Sequence, residues 1–146
     1  MNNRLEIKSY VGVGPIVFGM TAKEVRSALG CTYEEFKRDP MSPIITDAFD
    51  SLGVFVCYNV DKKCNAIEMA APAQPFFAGR DLLNNSFGNV FEYLRGFDRG
   101  VNLRIDGLTS FALGIGLYAP DCVKDRPSPA ESVIAFERGY YENDEK

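Results

Sequence analysis

Residues 12–30 constrain the fold more than any other stretch, because they carry a complete set of helix-boundary signals. Thr21 is suited to the N-cap, where its hydroxyl accepts a hydrogen bond from a backbone N–H of the first turn. Glu24 follows at the spacing that lets its carboxylate reach back to the Thr21 amide and complete a capping box. Gly30 supplies the left-handed residue that ends many helices. The sequence therefore predicts a short helix between Thr21 and Gly30.

The same stretch indicates how this helix packs. Met20 and Val25 occupy the two positions of a hydrophobic staple, which fixes the angle at which the chain enters the helix. Val25, Ala28 and Leu29 share one helical face. We therefore expect this face to lie on the core.

Composition limits the class of protein. The chain has 146 residues, of which 46% are hydrophobic, and this fits a single globular domain over residues 1–146. The formal net charge of −4 argues against a general nucleic-acid or anionic-membrane binder, because both need a basic surface. No apolar run approaches the roughly 20 residues of a membrane span. The first ten residues have no apolar signal region, so we expect a cytoplasmic protein.

Histidine is absent, which removes His-based catalytic triads and His-ligated zinc from consideration. The four cysteines, Cys31, Cys57, Cys64 and Cys122, are scattered, so free thiols are expected rather than a disulfide scaffold. Cys57 and Cys64 have two alternatives, a bridge across their hairpin or a metal site with further ligands. We expect no cofactor and no metal.

Hydrophobic patterning predicts an α+β fold. The expected strands are residues 4–10, 16–18, 51–58, 64–70, 101–106, 109–118 and 131–137. A second helix is expected over residues 86–97, with Phe87, Val90, Phe91 and Leu94 on its apolar face. Residues 31–39 are ambiguous between an edge strand and a helical turn. Residues 40–50, 72–77 and 119–129 are expected as loops, with Phe76 and Phe77 tucked onto the core, and the acidic residues 142–146 as a frayed tail.

A weak internal repeat refines this fold. The segment LGVFV from residue 52 resembles LGIGL from residue 113, and each follows a helix and precedes another apolar strand. Chance similarity between apolar strands is the alternative. A true repeat implies two α-β-β units that share one mainly antiparallel, twisted sheet, with both helices on one face.

The string I-x-F-G-M-T-x-x-E-V-x-x-x-L-G at residues 16–30 resembles the opening helix motif of the small outer-membrane assembly lipoproteins. It is also similar to related domains that include the tandem-repeat β-lactamase inhibitor protein. The resemblance implies a helical layer on an antiparallel sheet and a role in binding another protein. This chain has no lipobox cysteine, so what carries over is the protein-binding scaffold rather than an outer-membrane role.

Carboxylates and tyrosines are the candidate site residues. Glu68 lies mid-strand between Ile67 and Met69, and hence on the sheet face opposite the core. We predict that Asp47, Asp50, Glu68, Asp106 and Tyr118 contact a partner. Two positioned carboxylates would also suffice for a glycosidase-like reaction, but the spacing of these acids singles out no pair. The glycines of residues 12–19 lack the Lys-Ser/Thr end of a phosphate loop and predict a turn.

The function expected from these features is non-enzymatic protein binding. The specific hypothesis is a small cytoplasmic inhibitor, such as a bacterial immunity protein that neutralises a basic, nuclease-like toxin, since opposite charges speed encounter. The alternative is a carboxylate-based hydrolase or a small-ligand-binding domain, with its pocket between the sheet and residues 40–50.

Overall fold

The structure, a computed structural model, describes residues 3–124 and 127–141. Within these residues the chain forms two helices and thirteen strands. The first half consists of β1 (Arg4–Lys8), β2 (Gly12–Val13), β3 (Ile16–Val17), α1 (Ala22–Leu29), β4 (Glu34–Phe36), β5 (Thr46–Phe49), β6 (Val54–Tyr58) and β7 (Cys64–Ala70). The second half consists of β8 (Gln74–Phe77), β9 (Arg80–Asp81), α2 (Phe87–Arg95), β10 (Asn102–Arg104), β11 (Gly107–Ser110), β12 (Ile115–Tyr118) and β13 (Ser132–Phe136). The α+β class expected from the sequence is confirmed.

The boundaries of α1 are those that the sequence predicts. The Thr21 hydroxyl accepts from the Glu24 amide at 3.2 Å, and the Glu24 carboxylate accepts from the Thr21 amide at 3.0 Å. Gly30 ends the helix in the left-handed conformation, with φ of 61°. Val25 and Leu29 are buried, whereas Ala28 is exposed, so the apolar face is narrower than expected.

Helix α2 begins after Ser86, whose hydroxyl accepts from the Asn89 amide at 3.2 Å. Its inward face carries Phe87, Val90 and Leu94, as the sequence predicts. Both helices bury their apolar faces in one hydrophobic cluster, together with side chains of β6, β7, β12 and β13. The two helices therefore pack on the same side of the sheet that those strands form.

That sheet has eight strands in the order β10-β11-β12-β13-β7-β6-β5-β4, and all of its pairs are antiparallel. Each helix is followed by a meander of four strands, and the two meanders meet where β7 pairs with β13. The sequence predicted two strands after each helix and one sheet. A second, five-stranded sheet, β3-β2-β1-β8-β9, also forms, and its β1–β8 pair is parallel.

The order of elements is compatible with an internal repeat. Gly53 and Gly114, the glycines of the two similar segments, each precede the third strand of a meander. Their φ angles are 70° and 71°, a conformation that favours glycine. A Cβ at Gly53 would run into the Ala70 carbonyl oxygen, and one at Gly114 would lie 2.9 Å from the Tyr10 ring. Glycine is therefore required at both turns.

Two segments expected as loops are strands. Residues 46–49 form β5, which pairs with β4 and β6. The sequence predicted a loop here because Pro43 and two aspartates are more typical of loops than of strands. Residues 74–77 form β8 despite Pro75, because this strand pairs with β1 on one side and only briefly with β9 on the other. The ambiguous residues 31–39 contain the edge strand β4.

Two expected strands also differ. Residues 109–118 were predicted as one strand but form β11 and β12, which pair with each other across a turn at 111–114. Residues 101–106 were predicted as a half-buried strand, but β10 lies at the end of the sheet and its three residues are exposed. An edge strand has a neighbour on one side only, and its alternating pattern therefore does not ensure burial.

The predicted frayed tail at residues 142–146 lies outside the described residues. In the part of the chain that the structure describes, no helix is long and apolar enough to cross a membrane.

Candidate functional site

The face of the eight-stranded sheet that points away from the helices, here called the open face, is the main candidate site. Strand alternation places Ile67 and Met69 of β7 in the core and directs Glu68 to the open face. Gly116 of β12, Ile134 of β13 and Ser132 point to the same side. Small side chains at the centre of this face leave room for depressions between larger residues.

One depression, here called the loop depression, has a volume of about 560 Å³ and lies between the open face and the segment after β4. Its walls include Arg38, Ser42, Cys57, Glu68, Glu137 and Tyr140. Arg38 Nη2 lies 3.2 Å from Glu68 Oε1, so an arginine from the loop neutralises the central glutamate. The alternative function considered from the sequence, a hydrolase or a small-ligand-binding domain, placed its pocket between the sheet and residues 40–50, and the loop depression lies there.

A second depression, here called the sheet depression, has a volume of about 300 Å³ and lies over β7, β13, β12 and β11. It is lined by Glu68, Arg104, Thr109, Tyr118, Ser132 and Ile134, among others. Arg104 contacts the Thr109 hydroxyl, and its Nε lies 3.3 Å from Asp106 Oδ1. Glu68 lines both depressions, which therefore meet at the centre of the open face.

A cluster of aromatic rings borders both depressions. Phe136 is buried on the open face, and the rings of Tyr140 and Tyr141 pack on it at centroid distances of 6.0 and 4.9 Å. Tyr140 lines the loop depression and Tyr141 lines the sheet depression. Large, rigid and amphipathic rings of this kind are enriched at protein interfaces.

Two ionisable groups of the loop depression are kept in their neutral forms by burial. Burial raises the pKa of the Cys57 thiol, and it also raises the pKa of the Tyr140 phenol. Both groups are consequently neutral near pH 7, and a neutral thiol is a poor nucleophile. Among residues 3–124 and 127–141, no group of three or more acidic or cysteine side chains is arranged to hold a metal ion.

Three of the five site residues predicted from the sequence lie at or beside the open face. Glu68 is at its centre, and Tyr118, which is 48% exposed, lines the sheet depression with it. Asp106 lies in the turn after β10, next to Arg104. Glu68 and Asp106 each lie beside an arginine, Arg38 and Arg104 respectively, so the open face carries charges of both signs.

The other two predicted residues lie elsewhere. Asp50 is exposed at the turn after β5 and lines neither depression. Asp47 is fully buried, and both of its carboxylate oxygens accept hydrogen bonds, from Arg26 and from the Tyr58 hydroxyl. Asp47 is therefore not available to a partner, and the prediction that it contacts one is corrected. Alternation directs it to the helix side of β5, where it anchors Arg26 of α1.

Arg38, Arg104 and Ser132 are site residues that the sequence analysis missed. Arg38 follows a strand that the sequence left ambiguous, and Arg104 was treated only as the polar half of an alternating pattern. Ser132 begins a strand that was correctly placed, and its alternation with the apolar Val133 was the available signal. Their convergence depends on strand order, since the two arginines come from opposite ends of the sheet.

Comparison with known proteins gave no match: none of the protein-family models, curated proteins or solved structures searched is similar to this chain.

Proposed function

We propose that the protein is a non-enzymatic binder of another protein and that the open face is its binding surface. The observation that carries the proposal is the one-sided packing of the eight-stranded sheet. Both helices join the core on one side, and Glu68, Tyr118 and the two depressions remain on the other. A surface with a recessed centre and an arginine- and tyrosine-bearing border has the residue types that dominate protein interfaces.

The specific form of the proposal is a cytoplasmic inhibitor of the immunity-protein type, which covers a toxin by docking on the open face. The resemblance of residues 16–30 to inhibitor-bearing domains supports this form. The net charge of −4 supports a basic partner, because long-range attraction speeds encounter. The open face carries two arginine–acid pairs, Arg38–Glu68 and Arg104–Asp106, so its own charges largely cancel. The long-range attraction to a basic partner therefore comes from the net charge of the whole molecule. The two pairs contribute to specificity at short range.

Capture of a partner with a matched pair of serine variants tests the proposal. Ser132→Arg places a long cation in the sheet depression, whereas Ser27→Arg makes the same change on an exposed position of α1. We expect the tagged wild-type protein and Ser27→Arg to retain the same co-purified protein from the native host, and Ser132→Arg to lose it. Equal capture by both variants, with both folded by circular dichroism, would place the interface elsewhere.

The loop depression favours a second candidate, the binding of a small ligand. Its volume of about 560 Å³ lies within the roughly 300–1,000 Å³ typical of small-molecule pockets. Glu68 and Glu137 would supply the acids in a hydrolase version of this candidate. A thermal-shift screen of metabolites on the wild type and on Cys57→Phe separates the two candidate functions, because the larger side chain of the variant occupies the loop depression. A stabilising metabolite that acts only on the wild type would favour the small-ligand function.

A further inference from the structure

A third cavity, here called the hairpin cavity, lies beside the first turn of α1 rather than on the open face. Its volume is about 650 Å³, which is larger than that of either depression. It lies between the start of α1, the segment before β5 and the turn that joins β6 to β7, and its lining residues are 21–23, 43–45, 58–63 and Glu35. The hairpin cavity adjoins the loop depression, because residues 58–60 and Ile44 line both.

Much of the wall of the hairpin cavity is apolar. The apolar lining residues are Ala22, Pro43, Ile44, Ile45 and Val60. Val60 is 72% exposed and Ile44 is 37% exposed, so an occupant that covers them removes apolar surface from water. Tyr58 also lines the cavity, but its hydroxyl already donates to the buried Asp47. The walls therefore favour a ligand with an apolar body.

The polar rim of the hairpin cavity is rich in lysine. The lysines that line it, all of them exposed, are Lys23, Lys62 and Lys63. None of these three forms an ion pair within the described residues. Two acids line the cavity as well, Glu35 and Asp61, but Glu35 is paired with Arg26 at 3.0 Å. The rim is therefore locally basic on a molecule whose formal net charge is −4.

The three lysines differ in how far the protein itself balances their charge. Hydrogen bonds from Thr21 lower the pKa of the Glu24 carboxyl, and the Lys63 charge adds to this effect. Lys63 is therefore partly balanced by Glu24. The same glutamate caps the start of α1, so the helix terminus does not supply a separate anion site. Lys62, in the hairpin turn, and Lys23, in the first turn of α1, are the cations that remain for a ligand.

We propose that the hairpin cavity binds a small amphipathic organic anion, that is, a molecule with one carboxylate on an apolar body. The body covers Ile44 and Val60, and the carboxylate pairs with the Lys62 ammonium. The volume of about 650 Å³ lies within the roughly 300–1,000 Å³ typical of small-molecule pockets. A purely apolar ligand leaves the lysines unused, and a cation meets charges of its own sign. The inference goes beyond the proposed function, because Lys62 and the first turn of α1 line neither depression of the open face.

Calorimetric titration of the full chain with 2-naphthoate, an aromatic carboxylate, tests the proposal. We expect 2-naphthoate to bind more tightly than 2-naphthalenemethanol, which has the same apolar body without the charge. Lys62→Gln should raise the dissociation constant of 2-naphthoate about threefold, the size of one exposed ion pair, and leave that of the alcohol unchanged. Lys8→Gln, which alters an exposed lysine of β1, is the matched control. No binding of 2-naphthoate, equal binding of the two probes, or an equal effect of both variants would overturn the proposal.

Amide chemical shifts of the wild-type protein locate the bound probe without any substitution. We expect the changes caused by 2-naphthoate to centre on Ala22, Ile45 and Lys62, which line the hairpin cavity but not the loop depression. Changes centred on Cys57 and Glu68 would place the probe in the loop depression and overturn the proposal. Capture of a protein partner by the open face is measured separately, so the failure of either proposal is distinguishable from that of the other.

Discussion

Arg26 on α1 and Asp47 on β5 form a two-point ion pair, with Nη2 2.7 Å from Oδ1 and Nε 2.9 Å from Oδ2. Asp47 is completely buried, and the Arg26 guanidinium also stacks on the Tyr33 ring at 4.1 Å. The Tyr58 hydroxyl donates to Asp47 Oδ2 at 2.8 Å. This network joins the first helix to the sheet through charge as well as apolar packing.

Removing Arg26 should destabilise the protein more than removing an exposed arginine. Arg26→Ala leaves the buried Asp47 carboxylate without its cation, and we expect a loss of about 3–5 kcal/mol in the free energy of unfolding. Asp47→Asn should cost less, because Arg26 retains Glu35 at 3.0 Å. Arg95→Ala, which breaks an exposed pair with Glu92, is the control and should change stability by about 0.5 kcal/mol or less. Urea denaturation of the three variants decides the ranking.

The capped helix gives a second stability prediction. Thr21→Ala removes the acceptor for the Glu24 amide and should cost about 1 kcal/mol. Leu29→Ala opens a cavity at a residue that is 1% exposed and should cost about 2–5 kcal/mol. Lys23→Ala changes an exposed position of the same turn and is the control. If Thr21→Ala and Leu29→Ala both had the denaturation midpoint of the wild type, the prediction that α1 contributes to the stability of the fold would be contradicted.

The cysteines should all be reduced and differ in accessibility. Cys57 pairs with Ala66 and Cys64 with Tyr58, so the two thiols belong to different sheet faces and do not meet as a disulfide pair. A thiol reagent should label Cys31 first in the native protein, because the other three are buried, and should count four thiols after denaturation. A count of two in the denatured, unreduced protein would contradict this prediction.

Stability should fall at alkaline pH. Burial, followed by the nearby Cys57, raises the pKa of the Cys64 thiol from 9.0 to about 12. Above the unfolded value the unfolded chain releases this proton while the folded chain keeps it, so unfolding becomes more favourable as pH rises from 9 towards 12. Raised pKa values of Cys57 and Tyr58 act in the same direction. The free energy of unfolding, measured by denaturation, should be lower at about pH 10 than at about pH 8. The difference between the two pH values should be smaller in Cys64→Ala.

The open face gives a prediction for partner binding. Glu68→Gln removes the acid shared by both depressions and releases Arg38, and we expect faster dissociation and a loss of about 2–5 kcal/mol in binding if the pair is desolvated in the complex. Asp106→Asn lies at the border and should mainly slow association. Glu92→Gln, which alters another glutamate paired with an arginine, is the matched control on α2. On-rates, off-rates and thermal stability against the captured partner are the measurements.

Unchanged binding in both Glu68→Gln and Asp106→Asn would move the interface away from the open face. Stable variants are expected, because substitutions of partly exposed side chains usually change stability by about 0.5 kcal/mol. A variant that loses binding without losing its melting temperature therefore reports on the interface. Failure to capture any protein, together with turnover of a small substrate, would reject the inhibitor proposal.

The sequence by itself determined the elements whose signals are local. Thr21, Glu24 and Gly30 defined α1 because capping bonds form between residues three or four apart. The apolar face of α2 and the hairpin of β6 and β7 followed from periodicities of 3.6 and 2 residues. The placement of Glu68 on the face opposite the core came from the same alternation.

Tertiary structure alone decided the strand order, and the strand order determined which acidic residues are buried and which side chains they contact. Asp47 resembled a surface acid in the sequence, and only the packing of Arg26 and Tyr58 around β5 made its burial favourable. Residues 101–106 had the pattern of a half-buried strand, but their position at a sheet edge left Ile105 exposed. Glu68 meets Arg38 and shares a depression with Arg104 because strands far apart in sequence are neighbours in the sheet. The local pattern of a strand determines which face of the sheet a side chain lies on. The residues that it contacts there depend on pairing between strands that are far apart in the sequence.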